Sequence, residues 1–249
     1  MTKFLFLSLS FFIVINSVHA QTVVLLPSAG VQSTISTVEG SSPVVSTNPQ
    51  TQTGFSGSVR AYLDNNKRHG FFIGLSAVNH GISVKTFDGT NSISMMSSSS
   101  RRPRLELGYQ LITKPIFLSS ITNAKSDADS KKFNKGLFFQ LQPMIGLGYN
   151  LVGNNNGTGS ISGGSTNLKE IYSGGKNFSF LTGGNLYFGK NEKQLFFISI
   201  MKNWNFGNYS AQGSLSSQYN GNFYQNNIKS HGSGTTFSIG VPIRLGGKR

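Results

Sequence analysis

The sequence predicts an all-β protein, an antiparallel up-and-down transmembrane β-barrel of eight strands. The clearest support lies near the end of the chain, where small, polar or charged residues alternate with apolar ones at Phe237, Ile239, Val241, Ile243 and Leu245. A side-chain period of two gives a strand one apolar and one polar face. Six more segments alternate in the same way, they follow an export signal, and the chain contains no cysteine. Repeated two-faced strands in an exported chain favour a barrel with lipid outside and water inside.

The first twenty residues have the pattern of a secretory signal peptide. Lys3 forms a short basic region, an apolar run extends from Phe4 to Ile15, and Val18-His19-Ala20 precedes Gln21. The run is shorter than the ~20 residues that a membrane-spanning helix needs, so the pattern predicts cleavage after Ala20. No later apolar run approaches that length, so contact with lipid is expected only through strands.

The seven alternating segments begin near Phe55, Phe71, Pro103, Leu137, Phe178, Phe196 and Phe237. A slip of parity near Gly81 predicts a β-bulge. The apolar faces are predicted to contact lipid, with Phe139, Leu141, Phe196, Ile198, Ile200, Phe237, Ile239 and Val241 as lipid-facing residues. Aromatic residues near strand ends are predicted to form the interface girdles of a membrane barrel; they are Tyr149, Phe188, Trp204 and Phe206.

The connections between strands tend to alternate in length. Those at 64–69 and 189–193 are short, and three long ones are rich in Gly, Ser or Asn, at 86–100, 152–176 and 208–233. Membrane barrels have short periplasmic turns and longer outer loops. The polar connection at 115–135 breaks this alternation, because a short turn is expected there.

Strand parity predicts one further strand. Single-chain bacterial barrels have an even number, so an eighth strand is expected in the N-terminal segment 21–53, around Thr22–Leu26 or Val31–Val38. The barrel itself is then assigned to residues 54–249. Pro143 and Pro242 lie in segments whose amides should pair, and each predicts a bulge or a local break.

Four charged residues are predicted to point into the lumen, namely Arg60, Arg104, Glu106 and Arg244. The interior of an eight-stranded barrel is only wide enough to be filled by side chains, and buried charges need partners. We therefore predict a charge network that plugs the lumen, with Glu106 as the counter-ion. The surplus of arginine leaves a gate or a small-anion path as the alternative.

No motif predicts an enzyme, a metal site or a cofactor. The histidines that follow the signal, His69, His80 and His231, lack metal-ligand spacing. The chain contains no Gly-x-Ser-x-Gly nucleophile elbow. A lipid-modifying barrel enzyme, with His80 at the outer rim among abundant serines, is the remote alternative.

Residues 54–246 resemble the small outer-membrane β-barrel proteins of Gram-negative bacteria, in their pattern of strands. The bias toward Phe, Asn, Lys and Ser resembles a Bacteroidetes-like lineage. The resemblance implies an outer-membrane location, insertion by the barrel-assembly machinery, and a non-enzymatic role that is structural or depends on surface binding by the outer loops. The chain departs from the family at its end, Leu245-Gly246-Gly247-Lys248-Arg249, where many members have a terminal aromatic residue. The assembly machinery would then have to read Phe237, Ile239 and their neighbours, or tolerate the tail.

The net charge of +14 predicts an anionic neighbour. Nucleic acid requires basic residues gathered in a stripe, whereas pairs such as Lys67-Arg68 and Lys131-Lys132 are scattered through predicted turns and loops. Outer-membrane lipid and lipopolysaccharide are therefore the expected partners, and nucleic acid is not. The competing fold is a secreted soluble β-sandwich adhesin, because a sandwich also hides one face of each strand.

Overall fold

The computed structural model describes residues 23–40, 45–47, 50–62, 68–80, 82–87, 92–96, 100–118, 136–151, 158–163, 166–171, 177–191 and 193–245. These residues contain eighteen β-strands: β1 Val23–Thr34, β2 Thr37–Glu39, β3 Val45–Thr47, β4 Gln50–Tyr62, β5 His69–His80, β6 Ser83–Phe87, β7 Ser92–Met96, β8 Ser100–Leu111, β9 Ile116–Phe117, β10 Leu137–Asn150, β11 Thr158–Gly163, β12 Thr166–Ile171, β13 Asn177–Lys190, β14 Lys193–Gly207, β15 Ala211–Tyr219, β16 Asn222–Ser230, β17 Gly234–Gly240 and β18 Ile243–Leu245. The predicted cleavage site after Ala20 lies outside the described residues.

Eight of these strands form a closed antiparallel barrel. Their order is β13-β14-β17-β1-β4-β5-β8-β10, and β10 pairs with β13 to close the ring. The strand that parity required is β1, which pairs with β4 on one side and with β17 and β18 on the other. The prediction of an eight-stranded up-and-down barrel is confirmed. The sandwich alternative is wrong, because the sheet closes on itself through the pairing of β10 with β13.

The barrel has two distinguishable ends. At one end Val23 pairs with Leu245, so both ends of the described chain lie there, and we call it the terminal end. At the other end Thr34 pairs with Gly234, and we call it the loop end. The connection between β13 and β14 lies at the terminal end and is short, since Lys190 pairs directly with Lys193.

Alternation along each strand sorts the side chains between the two faces. In β8, for example, Leu107 is 58% exposed whereas the preceding Glu106 is partly buried and Arg104 is buried. Among the barrel side chains that the structure describes, the exposed apolar ones lie on the outer face. Of the predicted lipid-facing residues, Phe139 is half-buried and the others are exposed: Leu141, Phe196, Ile198, Ile200, Phe237, Ile239 and Val241.

The two unusual prolines behave differently. Pro242 separates β17 from β18, which agrees with the predicted break. Pro143 leaves β10 uninterrupted and pairs in register with Gly184 of β13. On the other side of β10, pairing with β8 begins only at Met144, next to the proline. The structure contains a register shift at Phe188 and Gly189 that the sequence did not predict, and Gly81 lies outside the described residues.

Beyond the loop end the long connections form a second tier of shorter strands, which the sequence did not predict. The tier contains a five-stranded sheet, β11-β12-β15-β16-β2, and a three-stranded sheet, β3-β6-β7. These strands continue the barrel strands in the same cyclic order, because each barrel strand is adjacent in sequence to one tier strand. Among the described residues, strand pairing in the tier is interrupted between β2 and β3 and between β7 and β11.

The second tier has its own small apolar core. Ile82, Ala211, Leu215 and Ile228 are fully buried together, and Val38 and Val45 pack against them. These residues come from three different connections between barrel strands. The tier is therefore a packed unit, which explains why polar, glycine-rich sequences adopt regular strands there. Within the described residues, no helix has both the length and the apolarity to span a bilayer.

Candidate functional site in the barrel lumen

The lumen is filled at the terminal end by an apolar plug. It consists of Val24, Leu26, Ile112, Tyr187 and Phe197, each at most 4% exposed. The rings of Tyr187 and Phe197 are in contact, with centroids 5.4 Å apart. Ile112 follows β8 and is held in place by its N–H, which donates to the Arg68 carbonyl over 2.7 Å. Packed aromatic and aliphatic side chains therefore fill this end of the lumen.

Buried aromatic rings of this half lie against glycines on the barrel wall. A Cβ atom at Gly108 would lie only 2.5 Å from Phe72 Cε1, and one at Gly146 would lie 3.0 Å from Phe72 Cζ. A Cβ atom at Gly189 would likewise lie too close to the Phe138 ring, and one at Gly240 too close to the Phe197 ring. The inward glycines thus make room for flat rings, so the glycine-rich inner face and the buried phenylalanines belong to one packing arrangement.

A buried ion pair lies farther toward the loop end. Arg104 donates from Nη2 to Glu106 Oε1 over 2.7 Å and from Nε over 2.9 Å, and Ser76 Oγ donates to the same oxygen over 2.5 Å. The side chains of Arg104 and Glu106 are 5% and 15% exposed. Arg104 crosses Gly148, where a Cβ atom would lie 2.8 Å from its Cδ. The structure thus brings together two members of the predicted charge network.

The other two predicted members are not part of this pair. Arg244 is exposed in β18 at the terminal end, opposite Val24, and makes no ion pair with Glu106. The alternation pattern predicted that its side chain points into the lumen, but all three residues of this last short strand are exposed. Arg60 pairs in register with Val24 and Phe72, and its side chain lies outside the described residues. Sequence reasoning missed Arg102, which is buried next to Arg104 along β8.

The loop end of the lumen is closed by asparagines that bind residues 231–233, a segment that we call the clasped segment. Asn177 Nδ2 and Asn205 Nδ2 donate to the His231 carbonyl over 3.1 and 2.9 Å. Asn203 Nδ2 donates to the Gly232 carbonyl over 3.0 Å. The three asparagines are buried. Their amides satisfy backbone carbonyls that would otherwise lack partners inside the barrel.

The same asparagines are connected to one another across the wall. Asn150 Nδ2 donates to Asn177 Oδ1 over 3.0 Å, and Ser179 Oγ donates to Asn205 Oδ1 over 2.5 Å. The backbone N–H of Asn205 also donates to Ser233 Oγ over 2.8 Å. We call Asn150, Asn177, Ser179, Asn203 and Asn205, together with the clasped segment, the asparagine clasp. Sequence reasoning missed it, although inward asparagines at the same end of three successive barrel strands were a usable signal.

An exposed ion pair within the second tier lies beside the clasp. Lys229 Nζ lies 2.6 Å from Glu39 Oε2, and this hydrogen bond raises the pKa of Lys229 above its ordinary value of 10.5. Lys229 Nζ also lies 5.2 Å from the centroid of the Tyr209 ring, which contacts the ring of His231 at 4.3 Å. A chain of contacts therefore runs from Glu39 through Lys229 and Tyr209 to His231, the first residue of the clasped segment.

Aromatic contacts on the outer wall form two groups. Near the loop end, Tyr149 contacts Phe178 at 5.2 Å and Phe178 stacks on Phe206 at 6.2 Å. Near the terminal end, Phe188 stacks on Phe196 at 4.8 Å. The fourth predicted interface aromatic, Trp204, is exposed and contacts a neighbouring phenyl ring, that of Phe180, at 5.8 Å.

The distance between the two groups can be estimated along β13. Phe178 and Phe188 are ten residues apart, which corresponds to roughly 33 Å of strand at about 3.3 Å per residue. A tilt of about 40° reduces this to roughly 25 Å along the barrel axis, the height of the apolar band of membrane barrels. The wall therefore carries aromatics at two levels with the spacing of a bilayer.

The two histidines whose side chains the structure describes, His69 and His231, lie at opposite ends of the barrel. His69 Nδ1 shares a hydrogen bond with the Tyr109 hydroxyl near the terminal end, whereas His231 belongs to the clasp. The side chain of His80 lies outside the described residues. In the part of the chain that the structure describes, no three His, Asp or Glu residues are placed to hold a metal ion.

The fold and the lumen define the chain as an eight-stranded β-barrel with an apolar outer wall and two internal closures. No family model matches the sequence, and no curated protein sequence matches it. Similar solved structures include the outer membrane protein OprG from Pseudomonas aeruginosa, with a TM-score of 0.46 and 11% identity over 91% of this chain and 96% of that one. Ail, the attachment invasion locus protein of Yersinia pestis, has a TM-score of 0.36 and 11% identity over 88% and 98%. The outer membrane protease OmpT from Escherichia coli has a TM-score of 0.34 and 10% identity over 91% and 98%.

Proposed function

We propose that the protein is a non-enzymatic outer-membrane barrel whose closed lumen does not conduct and whose second tier is displayed at the cell surface. The observation that carries this proposal is the apolar outer wall. Leu107, Leu147 and Ile239 are each more than half exposed, at 58%, 61% and 57%. Apolar surface in water costs about 25 cal/mol per Å², so a wall of this kind needs a lipid environment.

The two ends of the barrel support an orientation. Short turns of membrane barrels face the periplasm and larger connections face outward. The direct pairing of Lys190 with Lys193 is the short turn, whereas the packed second tier occupies the opposite end. We therefore infer that the terminal end faces the periplasm. The barrel-assembly machinery, outer-membrane lipid and lipopolysaccharide are the partners that this placement implies.

The two closures support a structural or surface-binding role over transport. The apolar plug fills one half of the lumen, and the asparagine clasp occupies the other end. An ion entering this lumen would have to cross a packed apolar region, where an unpaired charge is costly. The second tier carries exposed polar side chains such as Gln225 and Asn227, so binding is expected there.

The experiment combines fractionation with cysteine labelling, because the chain contains no cysteine of its own. Phe223→Cys places a thiol on the second tier, and Lys190→Cys places one at the terminal end; both native residues are exposed. A membrane-impermeant maleimide added to intact cells should label the first variant and not the second, and both should be labelled after lysis. Recovery of soluble protein in the medium, or labelling at position 190 alone, would refute the proposal.

A further inference from the structure

The outer wall of the barrel carries one charged side chain at a position where an apolar residue is expected. In the outward alternation of β14, Lys202 lies between Ile200 and Trp204, which are both exposed. Among the outward side chains that the structure describes, Lys202 is the only charged one between the two levels of aromatic contacts. A charge that faces lipid is costly, so a cation at this position marks a candidate binding site.

Hydroxyl groups flank Lys202 on the same face of the sheet. Register places Thr182 of β13 on one side of it and Thr235 of β17 on the other, and Ser33 of β1 follows Thr235. All four side chains are half-buried. Directly paired residues on neighbouring strands have Cβ atoms about 4.5–5.5 Å apart. We call Thr182, Lys202, Thr235 and Ser33 the polar row, which combines one cation with three hydroxyl groups.

The polar row is bordered by apolar side chains toward both ends of the barrel. The next outward positions toward the terminal end include Ile200, Phe237 and Val31, which are exposed. Toward the loop end lie Phe180 and Trp204, whose ring centroids are 5.8 Å apart. The polar row is therefore a local feature inside the apolar wall and not the beginning of a polar rim.

The depth of Lys202 can be estimated along β14. Phe206, at the loop-end level of aromatic contacts, is four residues farther along the strand, which is about 13 Å at about 3.3 Å per residue. A tilt of about 40° reduces this to roughly 10 Å along the barrel axis. A lysine side chain covers roughly 6 Å when extended and can direct its ammonium group toward the interface. The ammonium group can therefore bind an anion held just below the level of Phe206.

The distribution of acidic residues limits the source of that anion. Among the side chains that the structure describes, the acidic ones are Glu39 and Glu106, and each is paired with a different cation. Of all the acidic residues in the sequence, only Glu106 lies within the eight barrel strands. The wall of a second copy would therefore offer Lys202 no carboxylate. A lipid phosphate is available at the required depth, and both ammonium and hydroxyl groups donate hydrogen bonds to phosphate oxygens.

We propose that the polar row binds a phosphate group of an outer-leaflet glycolipid, with Lys202 as the cation and Thr182 and Thr235 as hydroxyl donors. Ile200 and Phe237 provide the adjacent apolar surface for its acyl chains. Lipid A, the phosphorylated and acylated sugar of lipopolysaccharide, has this chemistry. The inference rests on the proposed function, since it requires a bilayer around the wall and the loop end in the outer leaflet.

The test uses the fluorescence of Trp204, the single tryptophan of the chain, which lies two residues from Lys202 on the same face. The full-length protein in a non-ionic detergent is titrated with diphosphorylated lipid A, and a saturable change in fluorescence is expected. Lys202→Met should weaken the apparent affinity about tenfold or more, because hydrogen bonds between charged groups contribute at least that factor. Lys190→Met removes an exposed lysine at the terminal end and should leave the affinity unchanged.

Two further variants and two further ligands examine the hydroxyl groups and the lipid. Thr182→Val and Thr235→Val each remove one hydroxyl group and should weaken the affinity about two- to tenfold. Dephosphorylated lipid A should give no saturable change, because the row would have no anion to bind. Inorganic phosphate alone should give none either, because it lacks the acyl chains that contact the wall.

Three results would overturn the inference: equal affinity of Lys202→Met and the native protein, an equal response to dephosphorylated lipid A, or an equal response to inorganic phosphate. A dimer that sedimentation detects in the native protein but not in Lys202→Met would also overturn it, because the face would then belong to a second copy. Folding of each variant is checked by its mobility on unheated gels.

The cysteine-labelling experiment separates this inference from the proposed function. If Phe223→Cys is labelled on intact cells but lipid A does not bind, the surface location stands and the lipid site is wrong. If Lys190→Cys alone is labelled on intact cells, the orientation and the outer-leaflet assignment are wrong, even where lipid A binds to Lys202 in detergent.

Discussion

The lumen is closed at its two ends by different physical means. The terminal end is filled by packed side chains such as Tyr187 and Phe197, whose rings are in contact. The loop end is closed by asparagine amides that bind the carbonyls of His231 and Gly232. When a packed side chain is truncated, nothing replaces the contacts that are lost. When an amide–carbonyl hydrogen bond breaks, each group can form a hydrogen bond to water instead. The plug should therefore determine whether the barrel folds, and the clasp should determine how firmly the second tier is attached.

The largest expected effect comes from the plug half of the lumen. Phe72→Ala should destabilise the barrel by about 3–5 kcal/mol, because it leaves a cavity beside Gly108 and Gly146 that the rigid wall cannot fill. The measurement is the urea midpoint of unfolding in lipid vesicles. The matched control is Phe223→Ala, which truncates an exposed ring and should change the midpoint little. Equal effects of the two truncations would show that ring packing in this half of the lumen does not stabilise the barrel.

The charge pair between the two closures should have the next largest effect. Glu106→Ala removes the acceptor of Arg104 and Ser76, and breaking a buried pair costs about 3–5 kcal/mol, less where water enters. We expect lower thermal stability without conductance in planar bilayers, because the plug stays in place. Glu39→Ala breaks an exposed pair and should change the stability little, because exposed ion pairs are screened by solvent. An anion-selective current in Glu106→Ala would mean that the plug is not a seal.

The outer wall provides a test that is independent of both closures. Ile239 is in β17 opposite Ala29, near the middle of β1, so Ile239→Arg should cost ~2–4 kcal/mol in a bilayer. Ile35 is also exposed but follows the end of β1, and Ile35→Arg should cost at most about 1 kcal/mol. The fraction folded on unheated gels after refolding into vesicles reports both variants. Equal tolerance at the two positions would argue against a bilayer around the wall.

The clasp should respond locally. Asn205→Ala removes the donor to the His231 carbonyl and an acceptor for Ser179, and each buried group left without a partner costs about 1–3 kcal/mol. Hydrogen exchange should accelerate at the amides of the clasped segment while the strands around the plug remain protected. Asn208→Ala, at an exposed position just outside the clasp, is the control. Uniform acceleration over the whole barrel would contradict the separation of the two closures.

The outer wall could be predicted from the sequence because it depends only on alternation within each strand. Leu141, Ile198 and Ile239 needed no knowledge of their neighbours to be assigned to the outside. The pairing of Arg104 with Glu106 was accessible for the same reason, since residues two apart share a face of one strand. The Bacteroidetes-like origin stays a prediction.

The closures could not be predicted in this way because they depend on contacts between distant segments. Nothing within β14 indicates that Asn203 and Asn205 bind the backbone near Gly232. Ile112 likewise enters the plug only because the chain after β8 turns back into the lumen. The second tier was partly accessible, since Asn220-Gly221 between alternating residues is a strong hairpin signal. The composition of this segment suggested a loop. The sequence around the hairpin could not show that Ile82, from a different connection, packs into the same core.

The smallest expected effect concerns the ion pair at the outer boundary of the clasp. The hydrogen bond to Glu39 raises the pKa of Lys229, so the stabilisation from this pair is fully present below about pH 10.5 and is lost as pH rises through the higher folded-state pKa. Between pH 6 and 9 the pair should therefore cause no pH dependence. NMR of ¹³C-labelled lysine should show Lys229 titrating at higher pH in the native protein than in Glu39→Gln. Coincident titration curves would mean that Lys229 is not bound to Glu39 in solution, and that the clasp depends on its asparagines alone.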